Sequence, residues 1–548
     1  IPDRIEEGYG LNMDAITSLQ RADDITLIIT VDCGITAIDE TNYALQRGID
    51  MVITDHHECS GQAIPNAVAV VDPKRPGSQY PNGGLAGVGV AFKLLCALEG
   101  DSTQVLRDYG DLVAIGTVAD VMPLTGENRY LVAQGLAQIN TNPRPGIRAL
   151  LHECGAEGRP VTATTIGFTL APRINAAGRL GKTAIAALLL LTGDIADADR
   201  YAAGLCQLNR ERQELEQQIW EEASAIACRY PPRAPLVLAS DTWHQGVIGI
   251  AASRLSEEFH LPTIMICCDG QRGKGSCRSI SGFNMYEALQ YAQDLLIQFG
   301  GHTMAAGFSV KAENIEALRQ RLLDYAAAHM TAADYIPLVH IDKELEPAEV
   351  TLDLIAELAR LEPYGMGNSR PVFSLTGAVV EEIRPIGREK QHARLVARGA
   401  DRTRLSGVAW SQAGLCDAIV EGDVIDVAFQ LERNDFNGLS SPQLVIQDVH
   451  LPHRHIVLNR AVMVDIYMAL KKCIPDWGMP VWQVRRRLAA AQGDCYDVHT
   501  IYAAIVVLRE IGVLKVRHDD DGPAYYFPIL AGKMDLHASP TYELYCKE

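Results

Sequence analysis

The sequence predicts a multidomain α/β protein. It has a doubly wound parallel-sheet domain, a long connector helix, a second α/β domain, an OB-like β-barrel and a winged-helix-like tail. Three observations carry this reading. Short β-branched runs alternate with a helical pattern over the first 75 residues, a second such alternation begins near residue 236, and closely spaced strands take over from about residue 371. At 548 residues the chain is too long for one hydrophobic core, and the boundaries fall at 1–140, 141–230, 231–335, 336–452 and 453–548.

The first strand is the run Thr26 to Val31, which closes on Asp32-Cys33-Gly34. A helix from Ala37 to Arg47 stops at Gly48, and a strand from Asp50 to Thr54 closes on Asp55-His56-His57. The third run, Ala67 to Val71, ends in Asp72-Pro73, and a strand-like apolar segment from Asp111 to Val118 closes on Asp120. Between Thr183 and Ala227 the pattern is helical, and the polar stretch Asn209 to Glu214 predicts a largely exposed connector. The proline-rich stretch Pro231 to Pro235 is a linker signal. Beyond it come strands at Leu236 to Ser240, Thr263 to Cys267 and Gly275 to Ile280, with helices at Val247 to Glu258 and Met285 to Gln298. About five strands then fit into some eighty residues, with Asn437-Gly438 as a hairpin turn, which suits a small barrel. The tail shows helical stretches and a strand pair turning at Asp519 to Gly522.

Composition is that of an ordinary soluble protein: 48% hydrophobic and 21% charged, with no apolar stretch long enough to cross a bilayer and no signal layout at the start. The 13 cysteines lack Cys-x-x-Cys spacing and read as reduced thiols in a cytoplasmic protein. A formal charge of −19 argues against binding nucleic acid by bulk attraction and leaves room for a locally basic groove.

The candidate chemistry begins with Asp32, Asp55, His56, His57 and Asp120, each closing a strand-like run. In an open α/β sheet the carboxyl ends of the strands line one crevice, so these side chains converge. Singly, an aspartate there also serves as a turn former or cap. Two adjacent histidines after an acid have little structural purpose, and the donor set suits Mn²⁺ or Mg²⁺. A pair of such ions activates a water and clamps the oxygens of a phosphoryl group. A second candidate is Gly300-Gly301-His302, where glycines let backbone N–H groups approach an anion; the alternative is a glycine turn packed under small residues. The third is Gly273 to Ser279, which sets two cations and the hydroxyls of Ser276 and Ser279 among glycines; alternation sends Ser276 and Arg278 to one face, against a merely solvated strand face. A stacking role for Trp243 or a positioning role for His244 competes with core packing.

Asp55-His56-His57 resembles the signature of the DHH phosphoesterase superfamily. The segments Ile28 to Gly34, Gly116 to Asp120, Trp243 to Gly249 and Gly300 to Gly307 are similar to its RecJ branch. The resemblance implies Asp32, His56 and Asp120 as metal ligands, and Asp55 and His57 as supports of the metal or the scissile phosphate. It also implies a DHHA1-like substrate domain in which Ser276, Arg278, Ser279, Gly300, Gly301 and His302 bind the strand. Arg4 stands where the family has an arginine near the DNA end, with a surface salt bridge as the alternative. Arg173 and Asn175, in Pro172 to Arg179, are offered to the DNA backbone. Glu362 to Asn368 marks the start of the OB-like domain, and Arg485 to Arg487 lies on a helix of the tail that touches nucleic acid or protein, or is a solvated face.

The family also carries an Asp-x-Asp-x-Asp-Gly motif upstream of Asp32, absent from this sequence. The expectation is that the natural protein has it, that this chain holds only part of the metal cage, and that the missing strand leaves an apolar sheet edge open. The resemblance implies a monomeric 5′-to-3′ exonuclease on single-stranded DNA in repair and recombination, with no membrane association and with a helicase or single-strand-binding protein as partner. The rival readings are a phosphodiesterase for short oligonucleotides or cyclic dinucleotides, and an inactive DNA-binding scaffold.

Overall fold

The computed structural model of the chain describes residues 10–22, 25–59, 63–228, 234–331, 333–419, 421–450, 458–475, 478–480, 484, 487–488, 496, 498–519, 522–529 and 534–546. It divides into two compact units, one of residues 1–338 with 361–370, the other of 339–360 with 371–548. Arg4 and two of the tail arginines, Arg485 and Arg486, lie outside the described residues.

The first unit opens with α1 (Met13–Ala22), β1 (Leu27–Val31), α2 (Ile38–Leu45), β2 (Asp50–Thr54) and β3 (Ala69–Val71). The three strands are parallel in the order β1-β2-β3. Among the described residues β1 pairs only with β2, and its Leu27, Ile29 and Val31 are 48%, 51% and 53% exposed. A helical layer follows: α3 (Gly87–Glu99), α4 (Ser102–Ala119), α5 (Gly126–Thr141), α6 (Pro145–Glu153), α7 (Ala163–Thr165), a π-helical turn Ile166–Leu170, α8 (Ala171–Arg179), α9 (Thr183–Leu191) and α10 (Ile195–Ala227).

Two expectations are corrected here. The run 111–118 is the second half of α4 rather than a strand. Asp101 caps this 18-residue helix by accepting from Thr103 and Gln104 N–H, and Val105, Val113, Ala114 and Thr117 recur at helical spacing on its buried side. A short apolar run does not by itself distinguish helix from strand. The connector is also two helices, because α9 ends before Thr192-Gly193 and Asp194 caps α10 anew. Nor is α10 largely exposed: Ala198, Ala202, Leu205, Ile219 and Ala223 form a buried stripe along it. Even within its polar run Arg212 is buried, donating to Asn209 Oδ1 at 2.5 Å and pairing with Glu216.

The second α/β layer comprises β4 (Leu236–Ser240), α11 (Ile248–Phe259), β5 (Thr263–Cys268), β6 (Arg272–Arg278), α12 (Met285–Tyr291), β7 (Leu296–Gly301), β8 (Ala305–Lys311) and α13 (Ile315–His329). Its sheet runs β4-β5-β6-β8-β7. The predicted helix 285–298 ends at Tyr291, and its last residues join β7, because pairing with β8 overrides local helix preference.

In the second unit, β10 (Phe373–Ile386), β11 (His392–Arg398), β12 (Arg404–Ala409), β13 (Val424–Phe436) and β14 (Leu439–His450) close into a barrel. The sheet order is β11-β12-β14-β13-β10-β9, β9 being Lys343–Glu344, and β11 pairs back on β10. Asn437 and Gly438 both take positive φ, 51° and 76°, at the β13–β14 turn. The tail holds helices Arg460–Cys473 and Val498–Glu510 and an antiparallel sheet in which Lys515–Asp519 pairs with Gly522–Tyr526. Both units carry cores of their own, around Leu170 and Ile266 in the first and around Phe429 and Ile505 in the second.

Candidate metal centre and anion pocket

Asp32 follows the last residue of β1 in a left-handed conformation, φ +64°, held by its N–H donating to Thr54 O at 3.0 Å. A non-glycine residue is strained there, and such strain concentrates at functional sites. Gly87, at the start of α3, lies against the Asp32 carboxylate, and any Cβ there would overlap it. Asp55 is buried at the end of β2. Its Oδ2 accepts the Ile35 N–H at 2.9 Å, and its Oδ1 accepts His56 N–H at 2.7 Å and meets His57 Nδ1 at 2.6 Å. Burial opposes its charge, but the His57, Ile35 and His56 contacts prevail and keep the carboxyl below its ordinary range. The same contact with Asp55 raises His57.

His56 Nε2 stands 3.0 Å from Asp32 Oδ1 and 3.4 Å from Asp120 Oδ2. Asp120 reaches this point from the C-terminal end of α4, and burial raises its pKa. One ligand atom from each of Asp32, Asp55, His56 and His57 lies within 4.8 Å of the others. Two carboxylates facing one imidazole nitrogen, with Asp55 already spent on holding His57, form a donor set that fits a hard divalent cation. The sequence reading left Asp72 out of the site. It ends β3 as Asp32 and Asp55 end theirs, is buried, accepts Lys74 N–H at 2.7 Å, and has its other oxygen buried without a partner among the described residues. Burial, and after it the charge of Asp55, hold its carboxyl above the usual range against the pull of that N–H. The strand-end rule that selected the other two would have found it.

The second feature of this unit is a cavity of about 650 Å³ between the end of α8, the start of α11 and the β6-β8-β7 face. Arg179, Ser276, Arg278, Gly300 and Gly301 line it. Gly249, at the start of α11, is packed so closely that a Cβ would stand 2.8 Å from Ser276 Oγ and 3.5 Å from Arg278 Nη2. Gly246 likewise touches the Arg179 carbonyl, and Arg179 Nη1 donates to Gly246 O at 3.2 Å. Arg278 is half-buried, which lowers its pKa, and has no acidic partner among the described residues. A guanidinium stripped of water without a counter-charge favours an anion. Arg179 went unnoticed in the sequence because nothing local announces a contact with residues some seventy positions away.

Other singled-out residues fall elsewhere. Ser279 is buried and donates to Phe283 O at 2.7 Å, outside the cavity lining. His302 is exposed on the β7–β8 turn, its N–H donating to Ala305 O. Arg173 donates to Thr169 O at 2.6 Å within its own helical stretch, and Asn175 is exposed on it. Trp243 is buried, donating to Glu222 at 2.9 Å, and His244 Nδ1 accepts Gly246 N–H at 3.1 Å. The segment 362–368 packs in the first unit, where Leu124 N–H donates to Met366 O at 2.6 Å.

Among known proteins, the single-stranded-DNA-specific exonuclease RecJ of Dickeya dadantii is 36% identical over 471 residues, 82% of this chain and 81% of that protein. The chain belongs to the RecJ family. The Bacillus subtilis protein of the same description is 40% identical over 451 residues, and this RecJ-family chain spans 57% of its length. The DHH family N-terminal domain matches residues 1–117, the DHHA1 domain 234–328 and the RecJ OB domain 341–448. The crystal structure of RecJ from Thermus thermophilus in complex with Mn²⁺ superposes with a TM-score of 0.70 at 36% identity, covering 81% of this RecJ-family chain and 64% of that one. The strand-end cluster thus lies in the DHH match, and β6, β7, β8 and α11 of the pocket lie in the DHHA1 match.

Proposed function

We propose that the protein is a metal-dependent exonuclease that degrades single-stranded DNA from its 5′ end. The observation that carries this is the pairing, within one compact unit, of a carboxylate–imidazole cluster with a cationic pocket that suits a terminal phosphate. Asp32, His56 and Asp120 would hold Mn²⁺ or Mg²⁺, the ions named for the Thermus relative, while Asp55 orients His57. Such an ion lowers the pKa of a water and neutralises charge that builds on phosphoryl oxygens. Ser276, Arg278 and Arg179 fix the end of the strand, which sets the register of the cut. His57, kept protonated to higher pH by Asp55, is placed to donate to a phosphate oxygen or the leaving oxygen.

An enzyme anchored to a strand end needs that end free and unpaired, so a helicase or single-strand-binding protein is the class of partner that fits, and the monomer carries the whole pocket. Among the described residues no helix is long and apolar enough to cross a membrane, which accords with work in the cytoplasm. The test is degradation of end-labelled single-stranded and duplex DNA by the full-length protein with Mn²⁺ and with chelator, beside an Asp55→Ala, His56→Ala double variant. Mononucleotides released from single strands only, lost with chelator and in the variant, are expected. Binding without cleavage would sink the catalytic reading.

A further inference from the structure

The anion pocket is larger than one phosphate requires. Strand register lays out its floor in rows: Arg278 faces Ala305; Ser276 faces Gly307, which faces Gly300; Lys274 faces Ser309, which faces Gln298. All these residues line the cavity. Past Ser276 the middle row is bare, because at Gly300 nothing stands within 4 Å of where a Cβ would lie and at Gly307 only the Gly275 carbonyl does, at 3.6 Å. Beyond it the Lys274–Ser309–Gln298 row restores polar groups, one two-residue step past Ser276, or about 6.7 Å along the strand. Lys274 is exposed and makes no ion pair among the described residues. The described lining contains Arg179, Lys274 and Arg278 and no acidic residue, in a chain of net charge −19. Lys274 and Arg278 make no ion pair among the described residues, and Lys274 stands one row beyond the Ser276–Arg278 pair that a single phosphate would occupy.

We propose that the Lys274–Ser309–Gln298 row is a second anion subsite, so that the pocket accepts strands whose 5′ end carries a di- or triphosphate as well as a monophosphate. The first phosphate sits at Ser276 and Arg278, and the further phosphates run over Gly307 and Gly300 to Lys274. Placing the first phosphate at Ser276 and Arg278 rests on the end-anchored reading above; the second subsite rests on the strand register and on Lys274.

The test uses the full-length protein and fluorescent single-stranded oligonucleotides ending in 5′-hydroxyl, monophosphate or triphosphate. Anisotropy in chelator gives Kd, and turnover with Mn²⁺ gives kcat and KM. Wild type should bind the triphosphate end at least as tightly as the monophosphate end. Lys274→Ala should raise Kd for the triphosphate end about tenfold and leave the monophosphate end within about twofold, and Lys274→Arg should restore binding. A triphosphate end bound no better than a hydroxyl end, or equal losses on both phosphorylated ends in Lys274→Ala, would overturn the subsite. Failure of the exonuclease reading looks different: no metal-dependent turnover of the monophosphate strand, whatever the Kd values.

Discussion

A glycine that touches two side chains of the pocket is a sharper probe of it than either side chain. Gly249→Ala places a methyl 2.8 Å from Ser276 Oγ, forcing that hydroxyl to shift, and in van der Waals contact with the Arg278 guanidinium. The expected result is a rise of about tenfold in KM for 5′-phosphorylated strands, with kcat and thermal stability little changed; steady-state kinetics beside a melting curve check it. Ser276→Ala should add little on top, since both act through one contact. This residue also marks where sequence reading stops. Asp55-His56-His57 is legible because three titratable groups stand side by side at a strand end, and Ser276 and Arg278 because alternation puts them on one face. Gly249 and Arg179 matter through approach across the fold, whereas Asp72 stands at a strand end like Asp32 and Asp55 and was open to the same rule.

At the level of elements, the helical layer positions Asp120, and it is tightly built. Gly135 of α5 lies against the Gly110 carbonyl and Ala114 of α4, with no room for a Cβ. Gly135→Ala should spread the two helices and cost about 1–3 kcal/mol of stability, read as a lower urea midpoint with unchanged slope. Because α4 carries Asp120 at its end, Mn²⁺ affinity by calorimetry should fall as well. A variant that loses stability and keeps full Mn²⁺ affinity would show that α4 does not place this ligand. The strands that end in Asp32 and Asp55 were legible from β-branched runs closed by polar residues. α4 was not, since its apolar half looks like a buried strand until the cap at Asp101 is seen to start the helix well before Gly110. β7 was missed for the opposite reason: its partner β8, not its own composition, makes it a strand.

For the molecule as a whole, the chain crosses between its units three times, because residues 361–370 return to the first unit while the flanking stretches 339–360 and 371–548 belong to the second. The returning segment covers the turn after α4: Leu124 donates to Met366 O, Arg129 Nη2 donates to Leu361 O at 2.7 Å, and a Cβ on Gly365 would stand 2.7 Å from Leu124 Cδ1. Separate cores predict two calorimetric transitions, and Mn²⁺ should raise only the one belonging to the unit with the acidic cluster. Gly365→Ala should destabilise that same unit by about 1–3 kcal/mol, although the stretches flanking its segment belong to the other unit. A single transition, or a loss confined to the barrel unit, would contradict this. The ribosome gives the arrangement an order in time. Residues 339–360 emerge before 361–370, so the first unit stays unfinished for about 2–6 s after Leu338 at roughly 5–20 residues per second. During that interval Leu124, fully covered in the finished protein, is a hydrophobic handle for a chaperone on the nascent chain.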